Sequence, residues 1–370
     1  MDLKQYLHEL KKLVNIDCGT TTIDGVEEVS RIIQHWYHEA NWQCDRIALG
    51  EKVGPGLFAT NKPDADHYDV LLVGHMDTVF PVGTVAERPF SIEGNRAYGP
   101  GVSDMKSGLL NILWALREMD TATLARLSIG VAMNPDEETG STHSHHWIGE
   151  LAKRSRCVLV CEAARADGSL VKARKGIAGY KLVFKGVAAH AGNDPEAGRS
   201  AIKALARAVL EISELADLTQ GTTINTGVVS GGVGANIVPD HAEMIVDVRF
   251  QDNDEYARVH SAIQAFSQRE FERDVKTVVQ QQSQKPAMAP TAETQKLMRI
   301  VEQAGVAENI DVHWKSVGGG SDANHTAALG IPSLDGFGPI GAGFHSASEY
   351  LELDSIEPRV RLLKRVIQSL

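Results

Sequence analysis

The sequence predicts an α/β protein in which a second, smaller α/β domain interrupts a larger sheet domain. Three observations lead there. Short apolar runs alternate with longer helical periods in the first part of the chain. A different order, strand–helix–strand–strand–helix–strand, occupies the middle. The first style returns from about Thr291 and runs to the end.

In chain order, the opening segment MDLKQYLHELKKLVNI has the spacing of an amphipathic helix with charges scattered through it. It lacks the uninterrupted apolar centre and small-residue cleavage site of a signal peptide. Val26 to Trp36 suits a helix, and Asp69 to Gly74 (DVLLVG) a buried strand. Lys106 to Met119 is helical in period, and Leu127 to Met133 and Cys157 to Cys161 are strands. Such alternation points to parallel strands. In the middle, strands are expected at Tyr180–Val187, Thr222–Ser230, Ala242–Phe250 and Val275–Val279. Helices are expected at Ala201–Leu215 and Ala257–Phe271. This βαββαβ order is the ferredoxin-like split unit. It places an inserted domain at 176–286 and a discontinuous sheet domain at 1–175 and 287–370, closed by the helix Arg359–Ser369. There is no tandem repeat and no low-complexity linker.

Composition narrows the function classes. With 370 residues, 43% hydrophobic and 23% charged, the chain is long enough for two globular domains. A net charge of −11 argues against a nucleic-acid surface, because phosphate binding needs concentrated Lys and Arg. No basic run suggests an anionic membrane, and no apolar stretch exceeds strand length. The four cysteines, Cys18, Cys44, Cys157 and Cys161, lack the spacing of a disulfide framework. Cys157 and Cys161 sit inside the apolar run CVLVC and read as small buried hydrophobes rather than metal ligands. A soluble protein of a reducing, cytoplasmic compartment is expected.

The chemistry-bearing residues fall where strands end. His75 and Asp77 (GHMDTV) follow DVLLVG, Glu137 and Glu138 (NPDEETG) follow LSIGVAM, and Glu162 follows CVLVC. Asp104 (GPGVSDMKSG) precedes a helix, and His345 (GFHSASEY) lies in a Gly-rich loop. Sites of open α/β sheets form beyond the carboxyl ends of strands, so five loops can deliver these groups to one crevice. Crowded carboxylates in a partly dry crevice need compensating cations. Imidazole and carboxylate without thiolate suit Zn²⁺, and also Mn²⁺ or Co²⁺. Seven such groups exceed one tetrahedral ion, whereas two ions about 3.5–4 Å apart sharing a bridging carboxylate would use them. Singly, each residue reads as a helix cap or surface group; their joint placement carries the signal. The Gly-rich GPGVSDMKSG is not a phosphate loop, since no GK[ST] follows at that spacing. Spacing alone does not say which of Glu137 and Glu138 would bind metal.

The succession GHMDTVFP, YGPGVSDMKSG, PDEETGS, CEAA, GGGSDAN and GFHSASEYL resembles the dinuclear zinc aminoacylase/carboxypeptidase superfamily over nearly the whole chain. That family includes glutamate carboxypeptidases, acetylornithine deacetylases and succinyl-diaminopimelate desuccinylases, and the GGGSDAN and GFHSASEY motifs most resemble the glutamate carboxypeptidases. The resemblance implies a zinc-exopeptidase-type mixed or parallel sheet carrying the site, with the ferredoxin-like insertion as a lid and dimerisation domain. It implies two Zn²⁺ per subunit: Asp104 bridging, His75 and Glu162 completing one ion, Glu138 and His345 the other. Glu137 would be the general base, and Asp77 would stand behind His75, fixing its tautomer. In the insertion it assigns His190 (GVAAHAG), supplied across a dimer interface, to the oxyanion or substrate carboxylate. Asn236 (GGVGAN) and Arg249 (VDVRF) would meet the carboxylate, and Gly319 and Gly320 would offer backbone contacts.

Two histidine clusters compete for attention. His143, His145 and His146 (STHSHHW) could form a metal site but lie where the family pattern requires nothing, and read as a solvated helix start. His325, beside GGGSDAN, is expected near the pocket without being a ligand. The expected activity is hydrolysis of an amide bond next to a free carboxylate, releasing a C-terminal amino acid such as glutamate from a small peptide or acyl group. An N-acyl amino-acid deacylase is the alternative, and a catalytically inactive binding protein of the same fold is a third. The expected assembly is a homodimer through the lid.

Overall fold

A strand whose every residue is buried needs cover on both faces, and Val70–His75 is such a strand. In the computed structural model, which describes residues 1–370, it lies inside an eight-stranded sheet. Across that sheet the order is Gln43–Ile47, Gly56–Thr60, Ile129–Asn134, Val70–His75, Val158–Val160, Ser333–Asp335, Leu170–Arg174 and Trp314–Val317. The four central strands are parallel, and pairs towards both edges are antiparallel. The sheet is therefore mixed, with its parallel part innermost. Ile129–Asn134, Val158–Val160 and Ser333–Asp335 are as fully buried as Val70–His75.

Helices supply the cover. Leu3–Val14 starts at Asp2, whose carboxylate accepts from the Lys4 and Gln5 amides. Its buried stripe of Tyr6, Leu10, Leu13 and Val14 joins the core, and the Tyr6 hydroxyl donates to the Ser107 carbonyl at 2.8 Å. Ser107–Arg117 also packs against the closing helix Ile356–Gln368. Gly108 sets how closely it meets the sheet, since a Cβ there would lie 2.0 Å from the Cys161 carbonyl oxygen. All four cysteines are buried and free. No helix is long and apolar enough to cross a membrane.

By compactness the chain divides into two units. One comprises 1–173, 290–317 and 321–370, and the other 174–289 with 318–320. The second holds a four-stranded antiparallel sheet in the order Thr223–Gly231, His241–Phe250, Gly176–Lys185, Lys276–Lys285. With the helices Ala201–Ser213 and Asn253–Ala265 this is the ferredoxin-like arrangement. Gly176–Lys185 alternates buried with partly exposed residues along its length, as a sheet covered on one face requires. Its separate core includes Tyr180, Phe184, Val248, Phe250 and Ile263.

Several boundaries differ from the sequence reading. The last strand of the insertion runs to Lys285 rather than Val279: its polar half, QQQSQK, shows no apolar alternation but continues the backbone ladder with Gly176–Lys185. The second helix begins at Asn253 because Asp252 caps it, accepting from the Glu255 amide, and ends at Ala265 in a 3₁₀ turn. A small sheet of Gly341–Ala342, Tyr350–Glu352, Arg96–Tyr98 and Ser91–Glu93 was not legible at all. Its strands are two or three residues long, too short for a period. It matters here because it ties residue 98 to residue 350, bringing the loops of Asp104 and His345 together.

Candidate metal centre

Three adjacent parallel strands end at one edge of the sheet, and each delivers acidic or imidazole groups there. His75 is the last residue of its strand and stands in register with Asn134; Val73 is in register with Val160. Glu137 and Glu138 open a 3₁₀ turn after Ile129–Asn134, and Glu162 lies two residues beyond Val160. Asp104 sits in the turn Val102–Lys106, just before the helix Ser107–Arg117. His345 occupies the loop between Gly341–Ala342 and Tyr350–Glu352, with a left-handed φ of 61°.

The side chains converge as two groups of three. His75, Asp104 and Glu162 form one, and Asp104, Glu138 and His345 the other; within each, the candidate ligand atoms lie within 4.8 Å of one another. His75 Nε2 is 3.2 Å from Asp104 Oδ1 and 3.5 Å from Glu162 Oε1. His345 Nε2 is 3.2 Å from both Asp104 Oδ2 and Glu138 Oε2. Asp104 thus turns one oxygen to each group. A donor set of two imidazoles and three carboxylates, with no sulfur, suits a pair of divalent ions sharing one carboxylate.

Residues 71–369 match the model of peptidase family M20/M25/M40. The chain belongs to that family. It is 31% identical to carboxypeptidase G2 of Pseudomonas sp. strain RS-16 over 98% of this chain and 88% of the relative. It is 27% identical to a succinyl-diaminopimelate desuccinylase of Stenotrophomonas maltophilia over 90% and 91%. Among solved structures, the aminopeptidase PepT of Bacillus cereus shares the fold with a TM-score of 0.81 at 21% identity, covering 100% of this chain and 99% of that one. This member of the M20 peptidases is a hydrolytic enzyme with candidate metal-binding groups.

Electrostatics at the centre are those of crowded anions. Burial pushes the carboxyls of Glu138 and Glu162 up to about 7, and neighbouring Asp104 adds to the rise in both. Hydrogen bonds donated to the carboxylates of Asp104 and Glu138 raise His345 to about 10. Burial opposes the charged form of His75, yet Glu162, Asp104 and Asp77 together hold its pKa well above the ordinary range. Asp104 is partly buried, which would raise its carboxyl, but the two imidazoles flanking it keep it below the usual range. In this arrangement protons balance the carboxylates, and divalent cations would take over that task.

Asp77 is fully buried, and both its oxygens are engaged. Oδ1 lies 3.2 Å from His75 Nδ1 and accepts from the Glu137 amide at 3.1 Å. Oδ2 accepts from the Thr20 hydroxyl at 2.6 Å and the Glu138 amide at 3.2 Å. It therefore orients the imidazole and also holds the turn that carries both glutamates. Thr20, in the unremarkable run DCGTTT, gave no signal in the sequence.

Glu349 was also missed. It is buried, and its carboxylate accepts from three amides: Gly101 at 3.0 Å, Ser103 at 2.8 Å and Asp104 at 3.0 Å. The motif GFHSASEY contains it, but one glutamate at a strand start looks like any surface residue.

The histidine clusters take no part in either group of three. His143 meets Asp136, with Nδ1 3.2 Å from Oδ2, while His145 and His146 open the helix His145–Lys153. The His325 ring stacks near His145, with centroids 5.4 Å apart.

In the inserted unit, His190 and Asn236 meet on a two-stranded ribbon, Ala189–His190 against Ile237–Val238. The Ala191 amide donates to the Asn236 carbonyl at 2.9 Å. His190 is exposed, and its Nδ1 accepts from the Gly192 and Asn193 amides, each at 3.1 Å. Neutral His190 must then carry its proton on Nε2, which is left as a donor. Arg249 lies elsewhere, on the four-stranded sheet, where it pairs with Asp247 at 2.8 Å. The Gly319 carbonyl accepts from Arg174 at 3.0 Å, and a Cβ at Gly319 would meet nothing within 4 Å.

Metal affinity is expected to fall as pH falls. Ligands must be deprotonated to bind, and the two glutamates near pKa 7 gain protons below neutrality, so Zn²⁺ competes with more protons there. Titration of metal-free protein at about pH 6 and about pH 8 should show at least roughly tenfold weaker binding at the lower pH, with proton release on binding. Equal affinity at both would contradict this arrangement of ligands.

Proposed function

We propose that this protein hydrolyses the amide bond next to a free carboxylate, releasing a C-terminal amino acid such as glutamate from a peptidyl or acyl group. The observation that carries the reading is the pair of clusters sharing Asp104, with Glu137 adjoining one of their ligands. The likeness to carboxypeptidase G2 supports the substrate class.

Two Zn²⁺, with Co²⁺ or Mn²⁺ able to substitute, would be held by His75 and Glu162, by Glu138 and His345, and by Asp104 between them. When bound, they supply Lewis acidity to the attacking water and the scissile carbonyl. Glu137 takes the proton from water and returns one to the leaving nitrogen. Asp77 keeps His75 and the Glu137–Glu138 turn in place. His190, its Nδ1 already occupied by amides, offers Nε2–H to the developing oxyanion or to the carboxylate. Asn236 and Arg249 receive the substrate carboxylate, and Gly319 and Gly320 allow close backbone approach. For Arg249 this means exchanging its partner Asp247 for the substrate.

Glu137→Gln keeps the shape of the side chain but cannot accept the proton. Turnover should fall by about 10²–10⁴-fold with metal content unchanged. Loss of one metal equivalent instead would mean that Glu137, not Glu138, is the ligand.

Arg249 can grip a carboxylate with two parallel hydrogen bonds, which lysine cannot reproduce. Arg249→Lys should lower kcat/KM by about tenfold or more, and the wild-type enzyme should reject substrates amidated at the terminal carboxylate. Equal cleavage of amidated and free-acid substrates would remove Arg249 from this role. A panel of C-terminal-Glu peptides and N-acyl amino acids separates the main reading from N-acyl amino-acid deacylation, which the likeness to a desuccinylase favours.

The inserted unit is proposed to act as a lid and to pair with a second copy. Its edge strand Thr223–Gly231 exposes Val228 and Val229, and Leu210 on the helix Ala201–Ser213 is 70% exposed. An open edge beside exposed apolar groups favours strand-to-strand pairing. Mixing His190→Ala with Glu137→Gln subunits should restore activity if His190 is supplied in trans. A monomer of full activity would exclude it.

A further inference from the structure

The two groups of three ligands are not equally supported, and the difference singles out one residue. In the first group His75 is 1% exposed and ends a strand that is hydrogen-bonded on both sides, with Asp77 behind its ring. In the second, His345 is 57% exposed and sits in a loop with no regular partner of its own. What joins that loop to the other ligands is Glu349, four residues further on.

We propose that Glu349 is a positioning residue that locks the Asp104 turn to the His345 loop and so determines the affinity of the Asp104–Glu138–His345 metal position. The inference rests on the metal-centre reading above. Three geometric facts carry it. The carboxylate of Glu349 takes three consecutive-loop amides, those of Gly101, Ser103 and Asp104, at 2.8–3.0 Å. Glu349 is 1% exposed, so water does not compete for these bonds. Its own backbone is fixed at the start of Tyr350–Glu352, whose Tyr350 pairs with Tyr98, at the other end of the same turn. The Asp104 turn is therefore held at one end by the strand pair and along its length by the carboxylate.

The chemistry requires a carboxylate at this place. Oε1 accepts from Ser103 and Asp104, and Oε2 from Gly101, so both oxygens must be acceptors. An amide of the same shape would point an NH₂ group at one or two backbone N–H donors. A buried donor facing a donor is unfavourable, and the turn would shift to relieve it. The outer ion, which depends on Asp104 and on the exposed His345, should feel this first. The ion at the His75 position also shares Asp104, but it keeps the buried His75, Glu162 and the support of Asp77, so it should be affected less.

The test uses Glu349→Gln and Glu349→Asp in the full chain, stripped of metal and titrated with Zn²⁺ by equilibrium dialysis. Absorption of Co²⁺-loaded protein serves as a second readout. Wild-type protein should bind two equivalents. Glu349→Gln should keep one equivalent at wild-type affinity and bind the second about 10–100-fold more weakly, as loss of a partner behind a ligand does. The Co²⁺ spectrum should change for the second equivalent only, and kcat should return at high metal with KM unaltered. Glu349→Asp keeps the charge but is one methylene short of three amides, so it should lie between the two and serves if the Gln variant fails to fold. Two equivalents at wild-type affinity in either folded variant would overturn the proposal, as would equal weakening of both. A wild-type protein that itself takes up fewer than two equivalents would contradict the metal reading and this inference with it. That failure is seen before any variant is made.

Discussion

Carboxylates repel one another, and this protein gathers Asp104, Glu138 and Glu162 within a few ångströms, with Asp77, Glu137 and Glu349 close by. Left in water they would separate. Much of the surrounding structure answers that repulsion. Strands aligned in parallel bring three of the loops to one edge, the buried His75 and the exposed His345 lie between the acids, and backbone amides satisfy Asp77 and Glu349. Burial, and then the neighbouring Asp104, raise the carboxyls of Glu138 and Glu162 to about 7, so ionising them without cations is unfavourable. Divalent cations would replace those protons, which is why this donor set and metal chemistry belong together.

The compensation has two tiers. Asp77 and Glu349 are buried carboxylates that bind backbone amides and belong to neither group of three, although Asp77 also meets the His75 ring. Each fixes a loop by accepting hydrogen bonds from its main chain: Asp77 the Glu137–Glu138 turn, Glu349 the Asp104 turn. Amides are suited to this task because they are donors without mobile side chains, and charge-assisted bonds to them are stronger than neutral ones. Asp322 does the same through side chains, accepting from the Asn134 side-chain amide and the Ser141 hydroxyl, which lie before and after the same glutamate turn.

The sequence was most legible where side chains obey a period or a motif. DVLLVG and CVLVC announce buried strands, and the acids and histidines after them announce a site, because a polar group directly after an apolar run is conspicuous. The βαββαβ order of the insertion was readable for the same reason. Legibility ended where backbone geometry does the work. The edge strand Gln43–Ile47, its neighbour Gly56–Thr60 and the small sheet around Tyr98 and Tyr350 are too short or too polar to show a period. Thr20 and Glu349 act on groups 57 and about 250 positions away in the chain, and only the fold brings them there. Spacing left open which of Glu137 and Glu138 would bind metal; the family resemblance pointed to Glu138, and it is Glu138 that lies 3.2 Å from His345.

The central claim is that two divalent ions lie on either side of the Asp104 carboxylate. Anomalous diffraction from crystals of Zn²⁺-loaded protein, recorded on both sides of the zinc edge, tests it most directly. The account predicts two peaks flanking Asp104, one ligated by His75 and Glu162 and the other by Glu138 and His345. A single peak, or two peaks that do not share Asp104, would contradict it.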